Sequence, residues 1–93
     1  MRQVMLKCSG DSGDVHVGKK PDTVTFTCPA SCLPLKSITP DPPAPGFTHK
    51  VTNPDGSISY DYDGRAIPSA GYPFSYQTSE KAMAGNGTGV IKH

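Results

Sequence analysis

The stretch that most constrains this chain is residues 22–32, where an alternating run leads into a turn closed by two cysteines. One face of the run carries threonines, and the other carries the apolar residues Val24, Phe26 and Cys28. Strict alternation of β-branched and aromatic residues predicts a strand with one buried face. Cys32 lies on the turn that follows, and a third cysteine, Cys8, lies upstream. The partners of these three sulfurs therefore decide how the N-terminal third is held.

Two shorter alternating runs precede this strand and predict an antiparallel meander. Residues 3–8 and 14–18 place apolar side chains at every second position, with short turn-forming segments between the runs. In a meander the first and third strands run in the same direction, so Cys8 and Cys28 would lie at one edge of the sheet. Two strand spacings of about 4.8 Å would separate them, which is too far for a disulfide in a flat sheet. Cys32, on the turn, could reach back.

The number and spacing of the cysteines leave three chemistries open. The candidate metal or disulfide residues are Cys8, Cys28, Cys32 and His16, because three thiolates and an imidazole form a set that zinc accepts. One disulfide with a free thiol also fits the odd number of cysteines, and so do three reduced thiols. We expect no cofactor unless these four side chains converge on zinc.

The segment from Cys8 to Cys32 ends in Val-x-Phe-x-Cys-Pro-Ala-Ser-Cys. It resembles the opening of the LCCL module of secreted animal proteins, which begins with a lone cysteine and a β run into Cys-Pro-x-x-Cys. The resemblance covers 25 residues, and the fourth cysteine and following helix of that family have no counterpart here. It implies a disulfide-bearing extracellular binding module as an alternative function.

Composition divides the rest of the chain after the meander of residues 1–32. Residues 33–46 hold five prolines, which fix φ and remove amide donors, and this predicts an extended arm. Residues 47–64 contain two alternating runs around Asn53-Pro-Asp-Gly, a sequence typical of a β-hairpin turn. Residues 65–93 lack a clear period and predict an irregular tail.

Within this tail two features predict local structure. Residues 79–84 begin with a serine that suits a helix N-cap and are followed by a glycine, which predicts a short helix. The Gly-rich run 85–89 predicts a flexible joint before a short final strand. Together the segments predict one small domain that is mostly β and loop-rich.

The amount of apolar material predicts a thin core. The chain has 93 residues, of which 34% are apolar, together with 10 glycines and 10 prolines. A domain of this size buries only about 60–65% of the surface of its unfolded chain. We therefore expect the arm and tail to gain order against neighbouring subunits. The candidate partner contacts are the aromatic residues of the hairpin and tail, Phe47, Tyr60, Tyr62, Tyr72, Phe74 and Tyr76.

Charge and hydropathy argue against two classes of partner. Nine Lys and Arg residues against eight Asp and Glu residues give a net charge of +1, too little for a nucleic-acid-binding field. No stretch approaches the ~18–20 apolar residues of a membrane span. The first residues also lack the apolar run of about 7–15 residues that marks a signal peptide. We therefore expect synthesis in a cytoplasm, with a virus particle as one destination.

These features favour a non-enzymatic protein. No nucleophile–base pair or carboxylate pair is placed by the sequence, and a thin core would not preorganise a catalytic site. The leading hypothesis is a structural or interaction protein of a larger assembly, oligomeric or bound to other protein subunits. Its specific form would be an accessory virion protein of the capsid decoration or cement type. The alternatives are the LCCL-like extracellular module and a small zinc-binding interaction domain.

Overall fold

The computed structural model describes residues 1–79 and 85–93, and its regular structure is almost entirely β. In chain order the strands are β1 Arg2–Met5, β2 Gly10–His16, β3 Asp22–Thr27, β4 Leu35–Thr39, β5 Phe47–Thr52, β6 Ile58–Tyr62, β7 Tyr72–Thr78 and β8 Gly85–Lys92. A short 3-10 turn at Ala30–Cys32 follows β3. The predicted fold class, mostly β and loop-rich, is confirmed.

The strands form two four-stranded sheets that pack face to face. Sheet 1 has the order β1-β3-β6-β5, and sheet 2 has the order β2-β8-β7-β4. The β1–β3 and β2–β8 pairs are parallel, and the other pairs are antiparallel. The ring centroids of Phe26 in sheet 1 and Phe74 in sheet 2 lie 5.8 Å apart, within one shared core. The fold is a β-sandwich, and β3 to β8 follow the strand order of immunoglobulin-type Greek-key sandwiches.

The predicted N-terminal meander is wrong, although its strand directions are right. β1 and β3 do run in the same direction, but they pair directly, with Val4 opposite Phe26. β2 crosses to sheet 2 and pairs with β8, where Val15 lies opposite Ile91. Alternation shows which residues of a strand face inward, but it does not show which strand lies alongside. That choice depends on strands that are distant in sequence.

The hairpin predicted over residues 47–64 is confirmed. β5 and β6 are antiparallel, and the backbone N–H of Gly56 donates to the Asn53 carbonyl at 2.9 Å. Gly56 has a φ of 93°, a conformation that favours glycine. A bulge between Thr48 and Val51 interrupts the pairing, and the alternating pattern did not indicate it.

The proline-rich segment 33–46 is not an extended arm. β4 lies inside it and pairs with β7, and Pro43 and Ala44 further along are buried. Pro34 and Pro40 flank this five-residue strand. Proline is tolerated at the ends of an edge strand because it removes no donor from the ladder. The prolines therefore delimit a strand of the sandwich.

The predicted irregular tail is also wrong, because β7 and β8 form the centre of sheet 2. A Cβ atom on Gly87 would overlap the ring of Tyr76, and one on Gly89 would lie 2.8 Å from the ring of Phe74. The two glycines thus leave room for aromatic rings of the neighbouring strand, which cover the β8 backbone. This packing turns the predicted flexible joint into a strand. The helix predicted over 79–84 lies outside the described residues from position 80 onward.

The core is larger than composition suggested. In the part of the chain that the structure describes, eighteen hydrophobic residues are buried. The radius of gyration of 12.3 Å equals the value of about 12 Å expected for a compact domain of this length. The described parts of segments 33–46 and 65–93 therefore contribute strands to the sandwich itself. In the described part of the chain, no helix is long and apolar enough to cross a membrane.

Candidate functional site

A disulfide joins Cys8 to Cys32. Their Cα atoms lie 5.6 Å apart, and the two residues are separated by 24 positions in the sequence. β1 and β3 lie side by side, so the chain just beyond β1 runs beside the turn that follows β3. Of the three sulfur chemistries left open, the structure contains one disulfide with a free thiol.

The other two sulfur-site candidates lie elsewhere. Cys28 is free and buried, and burial raises the pKa of its thiol. His16 is exposed on β2, and its Nδ1 lies 2.7 Å from the carbonyl oxygen of His93. Across residues 1–79 and 85–93, no three His, Cys, Asp or Glu side chains are grouped as metal ligands. The disulfide uses the thiols of Cys8 and Cys32, so these two sulfurs are not available as thiolate ligands in this structure.

Hydrogen bonds from β7 hold the segment between β1 and β2, where the chain crosses from sheet 1 to sheet 2. The Tyr76 hydroxyl donates to the Lys7 carbonyl at 2.8 Å and lies 2.6 Å from the Ser12 hydroxyl. Thr78, which is fully buried, donates its hydroxyl to the Cys8 carbonyl at 2.8 Å. Buried hydroxyls need such partners. The disulfide and these bonds therefore fix one structural junction.

The predicted aromatic partner contacts are mostly core residues, so that interpretation is wrong. Tyr72 is half-buried, and the other five are buried, namely Phe47, Tyr60, Tyr62, Phe74 and Tyr76. Edge-to-face packing links several of these rings. Each buried tyrosine hydroxyl also has a partner inside the molecule. Alternation placed these side chains on inward faces, and this signal was visible in the sequence.

One carboxylate attaches the proline-rich segment to sheet 1. The Tyr60 hydroxyl donates to Asp41 Oδ1 at 2.9 Å, and Lys50 Nζ lies 2.7 Å from Asp41 Oδ2. The hydrogen bond from Lys50, and then that from Tyr60, lower the pKa of Asp41. Burial, followed by the bond to Asp41, raises the pKa of Tyr60. These groups are used to hold the fold.

The outer face of sheet 1 carries a charge-poor surface, which we call the threonine face. By strand register its exposed or half-buried residues are Gln3, Met5, Thr23, Thr25, Thr48, Val51, Ser59 and Asp61, and Met1, which directly precedes β1, completes the set of nine. Met1, Met5 and Val51 are 91%, 63% and 41% exposed, and these are the exposed large hydrophobic residues of the described chain. Among the nine, Asp61 alone has a charged side chain, and the α-ammonium group of Met1 lies 2.8 Å from Asp22 Oδ1.

Several polar groups of the threonine face already have partners. The hydroxyls of Thr25 and Ser59 lie 2.8 Å apart, and Asn53 Nδ2 donates to Ser59 at 2.9 Å. Thr23 Oγ1 lies 3.4 Å from Asp61 Oδ1. Covering a polar group costs less when it keeps a hydrogen bond. A partner could therefore cover this face with little unpaired polarity.

The outer face of sheet 2 is different and forms a shallow groove of about 600 Å³, the polar groove. Its outward side chains are Asp11, Ser37, Thr39, Ser75, Gln77, Asn86 and Thr88. Register places them in two rows across the strands, one running from Thr39 to Asp11 and the other from Ser37 to Asn86. The two side-chain contacts within the groove, Ser37–Gln77 and Thr88–Asp11, are both 3.5 Å long. Asp11 Oδ1 also accepts the Gly13 N–H at 2.8 Å, and within the described chain the other groove side chains make no shorter hydrogen bond than these.

Sequence reasoning missed both surfaces, although a signal for each was present. The threonines of β3 occupy every second position opposite its buried residues, and Ser75, Gln77, Asn86 and Thr88 do the same in β7 and β8. The pattern marks an outer face, but it does not show which strands join to extend that face. No protein-family model, curated protein or solved structure matches this chain.

Proposed function

We propose that this chain is a non-enzymatic structural or interaction protein of a larger assembly and that the threonine face is its contact surface. The observation that carries the proposal is that Met1 and Met5 at the β1 edge and Val51 at the β5 edge all flank this one charge-poor face. Depletion of charge with retention of apolar side chains is typical of the centre of protein interfaces. The partner would be another protein subunit.

An accessory protein of a virus particle, of the decoration or cement type, is the assembly we favour. Binding to an assembled shell requires a surface that keeps its shape at low entropic cost. The compact sandwich with its Cys8–Cys32 disulfide meets this requirement. The ordered strands also supply a rigid surface, which reduces the entropic cost of binding.

The test is co-sedimentation with particles or large complexes from the native source of the chain. Val51→Lys places a charge on the threonine face, and Thr88→Lys places the same charge on the polar groove as a matched control. We expect the wild-type chain and Thr88→Lys to sediment with the assembly. The amount of Val51→Lys that sediments with the assembly should be at least about tenfold lower, because an unpaired buried charge is strongly unfavourable. Equal sedimentation of both variants, or a wild-type chain found only in the free fraction, would refute the proposal.

A second candidate function, a disulfide-bearing extracellular binding module, is favoured by the disulfide together with the polar groove. Structural disulfides are typical of oxidising compartments. Outward hydroxyl, amide and carboxylate groups that make few short hydrogen bonds within the described chain suit a ligand rich in hydroxyls, such as an oligosaccharide. Titration with oligosaccharides should shift the amide resonances of β7 and β8. Gln77→Ala should weaken the shifts and Val51→Lys should not, and no shift at about 10 mM sugar would reject this candidate.

A further inference from the structure

The free edge of β1 differs from the other three sheet edges. β5 is interrupted by a bulge that includes His49 at a φ of 53°. β4 has a bulge between Leu35 and Ser37 and is flanked by prolines, and β2 has a register shift between Asp11 and Asp14. Bulges and prolines are devices that prevent edge strands from pairing with other chains. β1 pairs in continuous register from Arg2 to Met5 and contains no proline.

The backbone groups of two β1 residues point toward this open edge. Leu6 N–H donates to the Thr27 carbonyl at 2.7 Å, which assigns the even-numbered residues of the strand to the ladder with β3. In an edge strand, the backbone N–H and C=O groups of successive residues point alternately toward the neighbouring strand and away from it. The N–H and C=O groups of Gln3 and Met5 therefore point away from β3. An added strand could bond to them without disturbing the β1–β3 pair.

We infer that the strand added there is β1 of a second copy, paired antiparallel about Gln3. In that register Gln3 faces Gln3 of the other copy, and Met5 faces Met1 in both directions. The outward N–H and C=O groups of Gln3 meet as a hydrogen-bonded pair, and the Met5 N–H meets the Met1 carbonyl while the Met1 ammonium group remains with Asp22. The apolar side chains exposed on the threonine face meet each other. The order Met-x-Gln-x-Met is thus self-complementary, as a two-fold interface requires.

The small size of the contact sets the expected strength. A strand of four residues buries far less than the roughly 1,200 Å² of a stable interface. We therefore expect a weak symmetric dimer, with a dissociation constant of about 0.1–1 mM. The inference rests on the proposed function in that it names one partner, a second copy, for the edge of the threonine face. Two copies joined in this way would present one continuous eight-stranded sheet.

The register can be tested by exchanging charges at the position that faces itself. Gln3→Lys and Gln3→Glu should each be monomeric in sedimentation at about 1 mM chain, because like charges would lie opposite each other. An equimolar mixture of the two variants should recover the dimer. In the wild-type chain, the amide resonances of Gln3 and Met5 should shift with concentration, whereas that of Val4 should shift much less.

Two comparisons decide the outcome. Val51→Lys lies on the threonine face but away from the β1 edge, so it should leave the dimer intact while weakening co-sedimentation with the assembly. A wild-type chain that remains monomeric at about 1 mM overturns the inference without affecting the proposed function. Dimers that persist in both Gln3 variants, or that fail to form in their mixture, overturn the β1 register. Loss of the dimer in Val51→Lys assigns the contact to the sheet face and also overturns the inference.

Discussion

Reduction of the Cys8–Cys32 disulfide should lower the free energy of unfolding by about 3.5 kcal/mol at 25 °C. The bond closes a loop with a sequence separation of 24. In the chain-entropy model a loop of this length restricts the unfolded chain by about 11.6 cal/mol/K, which gives this figure at about 298 K. A domain of this size has a total stability of roughly 5–14 kcal/mol. The reduced protein should therefore stay folded at neutral pH, with a much lower denaturation midpoint.

The effect should arise in the unfolded state, because other bonds hold the same junction in the native state. Tyr76 donates to the Lys7 carbonyl and Thr78 to the Cys8 carbonyl, both at 2.8 Å. The Leu6 N–H also donates to the Thr27 carbonyl at 2.7 Å. Reduction should thus leave the circular dichroism spectrum of the folded protein unchanged, and the urea m-value should rise as the unfolded chain expands.

Urea denaturation followed by circular dichroism, with and without reductant, measures this difference. Cys8→Ala/Cys32→Ala should reproduce the stability of the reduced protein within about 1 kcal/mol and should not respond to reductant. Cys28→Ala keeps the disulfide, so its response to reductant should match that of the wild-type chain. A difference between oxidised and reduced protein below about 1 kcal/mol would refute the reasoning, because the loop would then be nearly as restricted without the bond.

Three further predictions concern sheet 2 and the carboxylate that holds the proline-rich segment. Gly87→Ala should lower the free energy of unfolding, measured by urea denaturation, by about 1–3 kcal/mol because its Cβ would overlap Tyr76. Thr88→Ala should change the free energy of unfolding by no more than about 0.5 kcal/mol. Equal losses in the two variants would contradict the packing argument. The folded-state pKa of Asp41 lies below its ordinary value of 3.8. The ionised carboxylate therefore contributes fully to the free energy of unfolding above pH 3.8, and this contribution is lost as the pH falls through the folded-state pKa. Asp41→Asn should therefore flatten the loss of stability below the ordinary pKa of 3.8, and an unchanged profile would count against the bond. Tyr60→Phe should lower the free energy of unfolding by about 1–2 kcal/mol at pH 7. The loss should be at the low end of this range because the Asp41 carboxylate is partly exposed. If the two groups are coupled, the same substitution should have a smaller effect in the Asp41→Asn background.

The local parts of the fold could be predicted because their causes are local. The hairpin follows from the turn residues Asn53 to Gly56 and the alternation on both sides. The inward positions of β1, β2 and β3 were also correct, since the period of two in a strand reflects burial of one face. The candidate surfaces could not be predicted in the same way, because each is assembled from strands that are distant in the chain.

The sequence alone determined the β class, the side of each N-terminal strand that faces inward, and the hairpin turn. Tertiary structure decided that β2 lies in the other sheet, that Cys32 is the partner of Cys8, and that Phe74 and Tyr76 fill the space over two glycines. The physical reason is that alternation records burial of a face, whereas pairing depends on which distant surface covers that face best. Composition underestimated the core because a few aromatic rings, such as those packed on glycine backbone, bury a large area with few apolar residues.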